Sequence, residues 1–92
     1  MLLDMEDKIL EQIKLQGEND GVCYRLYLSG KLRYGGGDII SLAVEVNSDN
    51  LFVWTIDDDD MWQYTYTLDE IREGEPEVYD AIIAEARELL KC

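Results

Sequence analysis

The chain has 92 residues, 47 % of them hydrophobic and 10 % aromatic, with a formal net charge of −13 and no histidine. That length sets one domain over residues 1–92, with one modest core and no room for a deep catalytic cleft. The charge disfavours direct binding to nucleic acid or anionic lipid and makes basic proteins the natural partners. The six Tyr, two Trp and one Phe argue for a packed globule rather than an acidic tail.

Asp4 can cap a helix that opens at Met5, with Asp7 completing a weak capping box. Met5, Ile9 and Ile13 form its apolar stripe, with Leu10 alongside, and Gly17 ends it before the turn-forming Glu18–Gly21. From Val22 the period switches to two. Val22, Tyr24, Leu26 and Leu28 share one strand face, and Cys23, Arg25, Tyr27 and Ser29 share the other. Lys31–Tyr34 either extends this strand or begins a short return, and Gly35-Gly36-Gly37 reads as a flexible loop. A second strand places Ile40, Leu42, Val44 and Val46 on one face, with Ile39, Ser41 and Ala43 on the other, and Asn47–Asn50 is a turn.

Leu51–Ile56 and Met61–Tyr66 make two further strands around an Asp57–Asp60 hairpin loop. With Ile56 opposite Met61, one face carries Phe52, Trp54, Ile56 and Met61; the other carries Leu51, Val53, Trp62, Tyr64 and Tyr66. Thr67 and Glu70 cap a short helix, Leu68 to about Glu73, closed by Gly74. Pro76 starts the last helix, which reaches about Lys91 and buries Tyr79, Ile82, Ile83, Ala86, Leu89 and Leu90. The expected fold is α+β: an N-terminal helix, a three- to four-stranded antiparallel sheet, then a short helix and a C-terminal helix packed on one sheet face. The uncovered face would present aromatics, a feature of binding sites and of dimer interfaces, so monomer and homodimer both stay open.

Catalysis finds little support. Without histidine the commonest general base and metal ligand is missing. The glycine run lacks the Lys and Ser/Thr of a phosphate cradle, and Cys23 has no imidazole to activate it. We expect no enzyme, no cofactor and no metal. Cys23 and Cys92 stand in no metal or disulfide pattern, and Met1-Leu2-Leu3-Asp4 lacks the features of a signal peptide. Reduced thiols, a cytoplasmic setting and no membrane span are expected.

The charge is unevenly placed. Between Asp57 and Asp80 stand ten acids and one base, Arg72, giving nine of the thirteen net negative charges. Asp57, Asp58, Asp59 and Asp60 lack the alternate ligand spacing, glycine and terminal glutamate of a calcium loop. They read either as a solvated hairpin loop or as a recognition element, since four adjacent like charges repel. Glu70 is explained by its cap, and Glu75 and Glu77, with Asp80, by the N-terminus of the last helix, whose dipole favours carboxylates; Glu73 stands beside them as a further acid. As recognition residues these acids, with Trp62 and Tyr64 as aromatic anchors, would imitate phosphates in a basic groove.

The phrases Tyr24-Arg25-Leu26-Tyr27-Leu28-Ser29-Gly30 and Val46-Asn47-Ser48-Asp49, in a small acidic helix–sheet–helix chain, resemble the phage-encoded anti-CRISPR proteins. The resemblance implies a cofactor-free inhibitor, in the cytoplasm of an infected bacterium, that occupies the DNA groove of a guide-loaded CRISPR nuclease. The aromatic segment Met61–Tyr66 departs from that pattern. Two alternatives carry the same charge logic: an immunity protein or antitoxin that neutralises a basic toxin, and a small acidic protein-interaction module.

Overall fold

The computed structural model describes residues 5–59 and 61–90. The expected helix cap Asp4, together with Asp60, Lys91 and Cys92, lies outside them. Helix α1 spans Met5–Gln16 and buries Ile9 and Ile13, as its stripe requires. It ends at Gly17, where a Cβ would stand 2.6 Å from the Ile13 carbonyl oxygen and 2.9 Å from that of Arg25. Glycine is needed there for close approach rather than for a left-handed turn.

Six strands follow: β1 (Glu18–Asn19), β2 (Cys23–Tyr27), β3 (Arg33–Tyr34), β4 (Gly37–Glu45), β5 (Leu51–Asp57) and β6 (Gln63–Thr67). They form one antiparallel sheet in the order β1-β2-β4-β5-β6, with β3 also paired to β4. The α+β class is as expected, and the sheet is larger than the three to four strands expected. The added strands are two-residue pieces too short to show a period. Segment 31–34 resumes the lane of β2: Leu28 donates to the Ile40 carbonyl and Ile39 to that of Leu32, which carries the pairing on to β3. Gly35-Gly36 is a tight two-residue turn rather than a flexible loop, because Tyr34 pairs with Gly37 and both glycines have positive φ, 62° and 82°.

Two register details change the expected faces. A bulge between Ile39 and Ser41 in β4 places one extra residue against β5. Ile39 therefore joins Leu42 and Val44 in the core instead of facing away from them. In the β5–β6 hairpin Ile56 pairs with Gln63, two residues beyond the expected Met61. A slip of two conserves parity, so Tyr64 and Tyr66 stay on the side of Val53 and Thr55.

Helices α2 (Leu68–Gly74) and α3 (Pro76–Leu90) complete the chain. Thr67 Oγ1 accepts the Glu70 N–H at 3.1 Å, the expected N-cap. Glu75, extended at φ −141°, separates the helices and donates to the Ile71 carbonyl. All three helices cover one sheet face. Ile9, Ile13, Leu68, Ile71, Ile82, Ala86 and Leu90 pack with Ile39, Leu42, Val44, Leu51 and Val53. Val22, on the strand face of Tyr24 and Leu26, and Leu89, expected on the buried stripe of the last helix, are 67 % and 47 % exposed; each lies next to an element's end, where the stripe leaves the core.

Candidate functional site

The β5–β6 hairpin tip gathers the acids and aromatics that stand out in the sequence. The Asp57 N–H donates to the Trp62 carbonyl at 2.9 Å, and the Met61 N–H donates back to the Asp57 carbonyl at 3.1 Å. The Asp57 carboxylate also accepts the Asp59 N–H at 2.7 Å, a local turn that substitutes for a glycine-based one. Met61 closes the loop at φ 61°, the left-handed region that L-residues with bulky side chains avoid. Its side chain is 68 % exposed and that of Trp62 66 %.

Asp58 is tied down. Arg33 Nη2 reaches it at 2.6 Å while Nη1 reaches Asp38 at 2.8 Å, so one guanidinium clips the tip to the neighbouring β3–β4 hairpin. Asp58 and Asp38 hold the Arg33 pKa above its ordinary value. This partly answers the repulsion among adjacent aspartates. Gly37, opposite Asp57, permits the approach: a Cβ there would stand 2.4 Å from the Ile56 carbonyl oxygen.

Tyr64 is 44 % exposed at the start of β6. Asp57, Asp58, Asp59, Trp62 and Tyr64 are thus brought together. Glu70 and Glu73 are exposed on α2, Glu75 joins α2 to α3, and Glu77 lies in the first turn of α3. No described side-chain hydrogen bond or ion pair links these four to the tip. A separate acidic groove of about 430 Å³, lined by Glu6, Asp7, Asp49 and Asp69 among others, is braced by Arg72, which pairs with Glu6 at 3.0 Å and with Asp69.

The open sheet face holds an arrangement the sequence reading did not single out. The Arg25 guanidinium lies 3.8 Å from the centre of the Trp54 ring, and Arg25 Nε donates to Asp20 at 2.9 Å. Asp20 also accepts the Val22 and Cys23 N–H groups, at 2.9 and 2.8 Å. Those bonds, Cys23's first, hold its pKa down at about 2. Phe52 lies beside Trp54, and together they line a shallow depression of about 570 Å³. Beneath this canopy Ser41 is fully buried, and neither its Oγ nor Trp54 Nε1 finds a partner among the described residues. Strand alternation set Arg25 on the face opposite Tyr24, Leu26 and Leu28; what it lacked was the pairing that sets Arg25, Ala43 and Phe52 in one row.

Burial pushes the Cys23 thiol up, so it is not a thiolate near neutral pH. No group of three His, Cys, Asp or Glu among the described residues could hold a metal ion. No described helix is long and apolar enough to cross a membrane. A comparison with family models, curated proteins and solved structures found nothing that matches the chain.

Proposed function

We propose that this protein is a stoichiometric inhibitor that docks its β5–β6 tip in the basic nucleic-acid groove of a guide-loaded CRISPR nuclease. The observation that carries the reading is the exposure of Met61 and Trp62, at 68 % and 66 %, beside Asp57, Asp58 and Asp59. Apolar anchors rimmed by charge are the anatomy of a binding hot spot. The acids steer the encounter over a screening length of about 8 Å at physiological salt, and the anchors supply the desolvated contact that charge alone lacks. The Arg33 clip and the Asp57 turn hold Asp58 and Asp59 before binding, which lowers the entropy lost on docking.

The partner's arginines would otherwise read a short duplex motif. Inhibition would therefore be competitive with target DNA. DNA cleavage by a panel of guide-loaded nucleases, with the protein added before or after the target, tests this. Inhibition only on prior addition, weakened by Asp57→Asn, Asp58→Asn and Asp59→Asn together, supports it. Inhibition indifferent to order removes the groove mechanism. No inhibition across the panel removes the nuclease as partner.

A further inference from the structure

We infer that the outer edge of β6 takes up an extended basic segment of a partner protein as an added antiparallel strand. β6 ends the strand order, and Gln63, Tyr64, Thr65 and Thr67 are all exposed. Asp57 and Trp62 form a hydrogen-bonded pair, so by alternation Tyr64 and Tyr66 bond inward to β5 while the backbone groups of Gln63 and Thr65 point outward. The strand contains no proline and no charge, the two devices that usually protect an edge. It offers about 17 Å of ladder.

Charge selects the occupant. Asp57, Asp58 and Asp59 precede the strand, and Asp69 and Glu70 follow it. Each group keeps a negative excess after its pairing with Arg33 or Arg72. A second copy is disfavoured in either direction. Antiparallel pairing sets the tip of each copy against Asp69 and Glu70 of the other, and parallel pairing sets tip against tip. A segment with Lys or Arg at both ends meets opposite charge at both ends. Main-chain bonds would supply affinity, and the aromatic and threonine rows on the two sides would supply register. This deepens the docking reading by naming how the partner is held, and it stands on the strand edge rather than on the tip.

The test uses an end-blocked alternating Lys–Val octapeptide and backbone amide exchange of the whole protein, with the matching Glu–Val peptide as control. Binding is expected to slow exchange at Gln63 and Thr65 by about tenfold or more. Thr65→Pro, which removes an outward N–H and no β5 bond, is expected to weaken binding about tenfold, and Gln63→Lys with Thr65→Lys is expected to do the same without constraining the backbone. Protection at Gln63 and Thr65 of the native chain, together with peptide binding that both variants weaken, supports the inference, even if no nuclease is inhibited. Peptide binding that leaves those amides unprotected and both variants unaffected overturns it, even if nuclease inhibition persists. Equal binding of the Glu–Val peptide, or a dimer that Thr65→Pro dissociates, overturns the choice of a basic occupant.

Discussion

The two edges of the sheet are finished in opposite ways. At the β1 edge there are only two paired residues, and the turn beside them is sealed by its own side chains. Asn19 accepts the Gly21 N–H, and Asp20 accepts from Val22, Cys23 and Arg25. At the β6 edge five uncharged residues run without proline or lysine, and the acids gather beyond both ends. Sheets usually blunt both edges, because an open one templates association. At β6 charge surrounds an edge that is not closed, whereas at β1 the edge is closed by its own turn.

The largest expected effect comes from breaking the closed edge. Gly17→Val drives a side chain into two backbone carbonyls and should cost about 2–3 kcal/mol, read as a lower urea midpoint with unchanged slope. Next is the pH dependence of the same edge. The folded-state pKa of Asp20 is about 2, below its ordinary 3.8. Its contribution is therefore present above pH 4 and fades as pH falls toward 2. Thermal unfolding of the native chain should lose stability across that window, and Asp20→Asn should flatten this part of the profile.

The open face and the tip should respond less. Arg25→Met removes the stack on Trp54 and should cost about 1 kcal/mol. Ser41→Ala removes a buried hydroxyl that has no partner among the described residues and should raise stability by about 1 kcal/mol. Met61→Gly relieves a left-handed residue, a gain of similar size partly offset by glycine's greater freedom in the unfolded chain. Smallest is Thr65→Lys at the open edge, within about 0.5 kcal/mol by chemical unfolding. A loss as large as that of Gly17→Val would mean that the β6 edge is structurally closed after all.

Much of the fold was legible because it rests on periodicity. Ile9 and Ile13 in α1, Ile82 and Ala86 in α3, and the Thr67 cap all follow from spacing or local chemistry. What stayed hidden depends on pairing between distant strands. Nothing near Ile40 marks the bulge, because the extra residue is defined only against β5. The hairpin register was missed because Asp57 keeps strand pairing and Met61 takes the turn's left-handed position, a place where glycine or asparagine would have signalled the turn. For the candidate site, composition located the acids and aromatics. It could not show that Arg33, more than twenty residues earlier in the chain, holds Asp58. Nor could it show that Arg25 lies over Trp54.

The most direct measurement is binding of labelled target duplex to a guide-loaded nuclease that the chain inhibits, after pre-incubation with increasing native chain, with Trp62→Ala or with the triple aspartate-to-asparagine variant at 57–59. One-for-one exclusion of the duplex by the native chain is expected. Both variants should lose it while keeping native-like thermal unfolding, because these side chains are largely at the surface. Simultaneous binding of duplex and protein, or full exclusion of the duplex by both variants, would contradict the claim that the β5–β6 tip occupies the DNA groove.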